Sequence, residues 1–309
     1  MTSPESLTFY SQPDPITYIP QQSNINTLLA NLPKDLIGIT NTVTKSLLHI
    51  FWAERYGVTL TDERKAEVQI RSAADMLRKI HEMDGTPLAE TRPLEKRLVG
   101  NCRDFTVLTV ALLRREGIPA RARCGFGAYF SDPEDALQYI DHWIVEYWSH
   151  EYDRWIMVDS QLDKFQCEQL NLDFDPFDVP HERFLTGGAA WQMCRRGKED
   201  PDRFGILDMH GLWFIRGDLI RDLAALNNMP LLPWDGWGLM LTEPGSETDE
   251  ELALLDKVAA VTQPDTRLFT EARKLYEQHD QLKVPPMFLS WMSGNEPVTV
   301  NLADVSEAV

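Results

Sequence analysis

The spacing of apolar residues divides the chain into a helical first part, a mixed central part and a helical last part. Apolar residues recur near helical spacing over 25–56 and 61–83, where Thr61 is placed as an N-cap. Residues 1–24 are rich in Pro, Ser and Gln, which predicts an extended arm lying over the surface. Later in the chain, helical spacing predicts three further helices, over 212–227, 248–261 and 264–282.

The central part combines one apolar helix with strands. The helix starts at Cys102 and stops at Gly117-Ile118-Pro119; residues 102–116 are apolar on nearly all sides, so we expect it to be buried. Residues 120–127 alternate in the manner of a strand with one buried face. Two aromatic and β-branched runs, 142–148 and 154–159, flank a short polar stretch and predict a β-hairpin.

These elements predict an α+β fold in which a central helix packs on an antiparallel sheet. No obvious linker separates the hairpin from the helical last part. We therefore expect three regions: an extended arm over 1–24, a core over 25–165, and a mainly helical extension over 166–309 that packs on the core.

Composition and charge narrow the possible functions. With 309 residues, 43% of them hydrophobic, the chain can bury a sizeable core. Its net charge of −18 repels phosphate backbones and anionic membranes, so neither nucleic acid nor membrane is an expected partner. The acidic balance would favour cationic or amine-bearing partners, but a solubilising surface charge is the favoured explanation. No signal-peptide pattern or apolar run of about 18 residues is present, which predicts a cytoplasmic protein.

The cysteines and histidines show no metal-binding pattern. Cys102, Cys124, Cys167 and Cys194 form no C-x-x-C pair, so free thiols are expected. The histidines other than His142 lack ligand spacing, and nothing resembles a calcium loop. The sequence therefore predicts neither a metal nor a cofactor.

Cys102 occupies a position with chemical consequences. Asn101 is a good N-cap, which makes Cys102 the first helical residue and Asp104 the third, as in a capping box. The positive end of the helix dipole stabilises an anion there, which predicts a thiolate with a lowered pKa. Backbone N–H groups at the same place could receive a developing oxyanion. A small buried cysteine without chemistry is the alternative.

The hairpin supplies possible partners for this thiol. With a four-residue loop over 149–152, residue 148 pairs with 153, and His142 lies directly opposite Asp159, with Cβ atoms roughly 4.5–5.5 Å apart. The carboxylate could then fix the imidazole tautomer and leave the other ring nitrogen free for the thiol proton. A strand-edge histidine and a strand-ending acid are the alternative interpretations, and a bulge or a different loop would break the pairing.

Three blocks of sequence resemble the core of the transglutaminase-like superfamily, whose fold is papain-like. They are the run GNCRDFTVLTVALLRREGIPAR over 100–121, DHWIVEYW over 141–148 and RWIMVD over 154–159. By this resemblance Cys102 is the nucleophile, His142 the general base and then acid, and Asp159 the residue that orients the histidine. The family's usual proline or threonine after the aspartate is replaced by Ser160-Gln161-Leu162-Asp163.

The expected function is acyl transfer through a thioester, on an amide, ester or thioester carbonyl of a peptide or small-molecule substrate. Hydrolysis is the leading hypothesis; the alternatives are an amine-accepting acyltransferase and a non-catalytic peptide-binding module. The family resemblance leaves the second oxyanion donor unassigned among Trp52, Trp143 and Trp191. Substrate identity and oligomeric state stay open.

Overall fold

The structure is a computed structural model that describes residues 3–132, 134–264, 268–291 and 296–305. The elements up to residue 127 are α1 (Pro4–Ser11), α2 (Ser23–Leu28), α3 (Leu36–Ser46), β1 (Leu47–His49), α4 (Asp62–Lys65), α5 (Ala73–Met83), β2 (Leu98–Gly100), α6 (Cys102–Arg115) and β3 (Ala120–Gly127). The central elements are β4 (Tyr139–Ser149), β5 (Arg154–Val158), α7 (Lys164–Gln169), β6 (Phe184–Thr186), α8 (Gly187–Arg195), β7 (Phe204–Ile206) and β8 (Met209–His210). The last are α9 (Leu212–Leu226), β9 (Asp235–Gly236), α10 (Asp249–Val261), α11 (Phe269–Gln278), β10 (Met287–Ser290) and β11 (Val298–Asn301).

The amino-terminal segment is not the extended arm that its composition predicts. Ser3 accepts a hydrogen bond from the Ser6 N–H, and Pro4 occupies the first helical position, so the residues that follow form α1. Tyr10 and Ile16 are buried, and the Tyr10 hydroxyl donates to the Leu226 carbonyl at 2.8 Å. Buried apolar side chains therefore tie this segment to the rest of the molecule.

The predicted helical region over 25–56 contains a strand. It begins with α2 and α3, separated by a turn that includes Pro33, which cannot donate an N–H inside a helix. Its next three residues form β1, which pairs in parallel with β2, directly before α6. Within 61–83 the expected Thr61 cap begins only the short α4, and Ser72 caps α5.

The main sheet has the strand order β6-β3-β4-β7-β8, and β5 pairs with the later residues of β4, while β7 pairs with its first residues. β3 and β4 are antiparallel, and Gly125 lies opposite His142. Val107 of α6, Val145 of β4 and Leu219 of α9 belong to one continuous core. The α+β class and the central buried helix are thus confirmed, and α9 shares the core of α6; the three domain boundaries stay a prediction.

The last part of the chain is less purely helical than its pattern predicts. Helices α9 and α10 match the predicted positions, and α11 begins at Phe269, while residues 265–267 lie outside the described part. Strands β9, β10 and β11 form a separate three-stranded sheet that the sequence did not predict. Within the described residues, every helix is too short or too polar to cross a membrane.

Candidate active site

The start of α6 is held by a complete capping box, as predicted. The Asn101 side chain accepts from the Arg103 N–H, and the Asp104 carboxylate accepts from the Asn101 N–H, each at 2.9 Å. The buried Arg103 guanidinium donates to the carbonyls of Pro230 and Arg71. These bonds fix the direction from which the chain enters the helix, and therefore the position of Cys102.

Cys102 is 8% exposed and packs with Ala122, Cys124, Trp143 and Ala225. The backbone N–H of Trp143, the residue after His142, donates to its sulfur. Among the described residues, the backbone N–H of Cys102 itself has no acceptor. The thiol thus contacts the strand that carries the predicted base and keeps a free N–H donor beside it.

The expected lowering of the Cys102 pKa is wrong. Burial raises the pKa of this thiol well above its ordinary value, and the charges of Asp141, Asp104 and Asp159 raise it further. The hydrogen bond from the Trp143 N–H lowers the pKa, but the net direction is upward. Desolvation and acidic neighbours therefore outweigh the helix start, and the resting group is a thiol.

The hairpin forms, but its register differs by two residues from the predicted one. Trp148 pairs with Trp155, and the pairing ends where Val145 meets Val158. The loop comprises residues 150–153, because Asp153 adopts a left-handed backbone conformation (φ 50°) that a turn accommodates and a strand does not. His142 is therefore not directly opposite Asp159. A shift of two residues preserves the face of every side chain, so both still point to one side.

The structure brings His142 and Asp159 into direct contact. The imidazole lies with Nε2 at 2.8 Å from Oδ2 of the carboxylate, and both side chains are buried. The Tyr129 hydroxyl donates to the same oxygen at 2.6 Å, and the backbone N–H of Gln161 donates to Oδ1 at 3.0 Å. Three donors thus hold the carboxylate in place, and Nδ1 of His142 is left for a second partner.

Sequence reasoning missed Tyr129 and the aromatic wall around the imidazole. The Phe130 ring meets the His142 ring edge-on at a centroid separation of 4.7 Å, and the Tyr129 ring lies at 5.9 Å. The Phe184 ring lies 6.4 Å from the imidazole and packs in the same apolar cluster as Tyr129 and Phe130. These residues follow β3 or form β6, and no period or motif marks them. The wall excludes water from one side of the imidazole.

His49 is a second histidine at this site that the sequence did not single out. Its ring is buried, and the Phe51 N–H donates to its Nδ1 at 3.2 Å. The pKa of His49 is lowered to about 3, chiefly by burial and also by the charge of His142, while the charge of Asp159 acts in the opposite direction. His49 is therefore a neutral group close to the predicted catalytic pair.

The three candidate tryptophans have different surroundings. Trp191 donates through Nε1 to Asp256 at 2.8 Å, so its indole N–H already has an acceptor. The Nε1 of Trp143 is buried without a partner among the described residues. Trp52 packs edge-on against Phe165 and lies under the Arg55 guanidinium.

One group of side chains in the described part of the chain offers metal-ligand atoms. The sulfur of Cys124 and a carboxylate oxygen from each of Asp141 and Asp218 lie within 4.8 Å of one another. The Arg221 guanidinium pairs with Asp218 at 3.1 Å and already places a positive charge there. Burial and the Asp141 charge raise the pKa of Asp218, and burial raises that of Asp141 to about 6. These shifts favour a proton in the cluster, and the absence of a metal stays a prediction.

A shallow cleft opens to solvent beside His49. One wall carries polar groups, because Tyr56 donates to Asp163 at 2.7 Å and Gln161 lies next to them. The lining consists of Thr44, Leu47, Leu48, His49, Tyr56, Arg97, Phe105, Gln161, Asp163 and Gln166. This cleft borders the segment that follows Asp159.

Comparison with known proteins identifies the core. Residues 58–160 match the family model of the transglutaminase-like superfamily, which confirms the resemblance and the transglutaminase-like fold of this segment. The chain is also similar to a solved structure named "a Putative Cysteine Protease from Cytophaga hutchinsonii", at 19% identity and a TM-score of 0.33. That alignment covers 60% of this chain and 48% of the other, about half its length. A search of curated proteins found no match.

Proposed function

We propose that this protein is a thiol-dependent acyl-transfer enzyme with Cys102, His142 and Asp159 as its catalytic residues. The observation that carries the proposal is the bond between His142 Nε2 and Asp159 Oδ2 at 2.8 Å. The strand carrying His142 also donates its next backbone N–H to the Cys102 sulfur. A matching family of thiol enzymes over 58–160 supports it further.

The reaction begins from a neutral thiol, since burial and acidic neighbours raise the pKa of Cys102. As the sulfur attacks a carbonyl carbon, Nδ1 of His142 takes the thiol proton, and Asp159 stabilises the resulting imidazolium. The tetrahedral intermediate collapses when the imidazolium gives that proton to the leaving group. The acyl group is then held as a thioester on Cys102.

Hydrolysis completes the proposed cycle. The imidazole of His142 removes a proton from water, the oxygen attacks the thioester, and the thiol leaves with the proton. We favour water because hydrolysis requires no separate acceptor site.

The four cysteines are all unpaired, which supports a reducing compartment and the predicted cytoplasmic location.

The test is a screen of small acyl donors, beginning with 4-nitrophenyl acetate, with and without a primary amine. We expect a burst of nitrophenol, one acetyl group on Cys102 by mass spectrometry, and release as acetate in both conditions. Cys102→Ala should abolish the burst, and Cys194→Ser should retain it because this half-buried thiol lies outside the site. Amide formation in the presence of amine would indicate the acyltransferase instead. An unmodified Cys102 with every donor would indicate a binding module.

A further inference from the structure

His49 is held next to the start of the nucleophile helix by strand pairing. It is the last residue of β1 and lies opposite Gly100, the last residue of β2. The Ile50 N–H donates to the Gly100 carbonyl at 2.9 Å. Only Asn101 separates Gly100 from Cys102, so the ladder places His49 near the start of α6, where its ring lies 6.2 Å from the ring of Phe105.

The hydrogen-bond pattern determines which ring nitrogen of His49 carries a proton. A backbone N–H can only donate, and the Phe51 N–H points at Nδ1. Nδ1 is therefore the acceptor, and in a neutral imidazole the proton must then reside on Nε2. The Phe51 bond thus fixes Nε2–H as a hydrogen-bond donor. No described residue accepts a hydrogen bond from it.

His49 also stays neutral at every pH at which the enzyme would work. Burial is the main cause of its lowered pKa, about 3, and His142 adds to it. An imidazolium on His142 during the reaction would oppose protonation of His49 even more strongly. His49 can thus neither take the thiol proton nor lose its own at these pH values.

We propose that the Nε2–H of His49 is the second donor of the oxyanion hole, acting together with the free backbone N–H of Cys102. This inference rests on the proposed acyl transfer. When the sulfur adds to the carbonyl, the carbonyl π electrons move to oxygen, and both donors stabilise that negative charge without transferring a proton. A neutral donor does so without repelling the imidazolium of His142.

The experiment compares a reaction that forms an oxyanion with one that does not, at the same sulfur. Acylation of Cys102 by 4-nitrophenyl acetate passes through a tetrahedral oxyanion, whereas alkylation by iodoacetamide is a direct displacement at carbon. We expect His49→Ala to slow acylation about 10²- to 10³-fold and to leave the alkylation rate within about threefold. His49→Gln retains a side-chain N–H and should recover at least about tenfold of the acylation loss.

Three results would overturn the assignment: His49→Ala acylating at the wild-type rate, both reactions falling together, or His49→Gln recovering nothing. Thermal unfolding of both variants identifies a loss that is due to unfolding, and the glutamine variant preserves a polar side chain at the position. If the wild-type enzyme alkylates but accepts no acyl donor, the proposed function fails, and the oxyanion assignment fails with it. An active wild type with an equally active His49→Ala rejects the His49 assignment alone.

Discussion

Two buried carboxyl groups, one within β4 and one at the end of β5, have opposite surroundings. Asp159 receives hydrogen bonds from Tyr129, His142 and the Gln161 N–H. Asp141, the residue before His142, has one buried oxygen without any partner in the described part of the molecule. Burial raises its pKa to about 6, against the lowering effect of Arg221 and His142.

This difference shows that the hydrogen-bond donors around a buried carboxyl group, rather than the extent of its burial, decide whether it can carry a negative charge. Three donors compensate Asp159, which can therefore stabilise a neighbouring imidazolium. Asp141 and Asp218 share one arginine, Arg221, and an Asp218 oxygen also lacks a partner. The first environment serves chemistry, while the second lowers the stability of the folded state.

The largest effect is expected from a change of Asp159. Asp159→Asn removes the negative charge that stabilises the imidazolium and turns an amide N–H toward His142, which favours the wrong tautomer. We expect the rate of Cys102 acylation to fall about 10³- to 10⁴-fold, as for the equivalent change in other triads. Single-turnover release of nitrophenol measures this rate.

The matched control is Asp178→Asn. Asp178 lies near the same hairpin, is about half exposed, and pairs with the exposed Arg154 at 2.6 Å. Its acylation rate should equal that of the wild type. An Asp159→Asn variant that keeps more than a tenth of the wild-type rate would contradict the assigned role of Asp159.

Removing the uncompensated carboxyl of Asp141 should make the folded state more stable. The Asp141 pKa is raised from 3.8 to about 6, so the folded state holds a proton that the unfolded chain releases. The stabilisation that this bound proton gives the folded state is complete below about pH 4 and is lost as the pH rises through about 6. Asp141→Asn should therefore increase the free energy of unfolding by up to about 3 kcal/mol at pH 8 and leave it unchanged near pH 4.

Urea unfolding at the two pH values measures this difference. The titratable and charged groups that face Asp141 are the thiols of Cys102 and Cys124, the imidazole of His142, the carboxyl of Asp218 and the guanidinium of Arg221. Because Asp141 and Asp218 titrate as a pair, the midpoint belongs to both carboxyls. An equal gain at pH 4 and pH 8 would show that packing, and not ionisation, explains the effect of the substitution.

How much of this could be predicted from the sequence depends on the range of the interaction. The helix start at Cys102, the face shared by His142 and Asp159, and the α+β class follow from local patterns. The exact register does not, because one turn residue, Asp153, moves the pairing by two positions. Alternation preserves the face in spite of that error.

The rest of the site depends on contacts between distant segments. His49 belongs to a strand of three residues whose partner begins at Leu98, and a strand so short has no period to detect. Asp218 meets Asp141 only because α9 packs across β3. The raised pKa of Cys102 likewise comes from burial and from these acids, which the helix-start motif does not reveal.

A smaller effect tests one of the three donors to Asp159. Tyr129→Phe keeps the buried ring and deletes the hydroxyl that donates at 2.6 Å. Hydrogen bonds to charged groups contribute about 1.5–3 kcal/mol, so we expect acylation to slow about 10- to 150-fold. The same spectrophotometric assay applies. Tyr147→Phe on β4 is the control, and a Tyr129→Phe rate equal to that of this control would contradict the role of the hydroxyl.

The smallest effect on the acylation rate is expected at Gln161, whose hydrogen bond to Asp159 comes from its backbone N–H. Oδ1 of Asp159 accepts from the backbone N–H of Gln161, whereas the Gln161 side chain donates to Gln166 at 3.2 Å. Gln161→Ala preserves the backbone N–H that holds Asp159 and should change the acylation rate by less than about threefold, although it removes a buried side chain. A tenfold fall would mean that the cleft beside His49, which this side chain lines, takes part in binding the acyl donor.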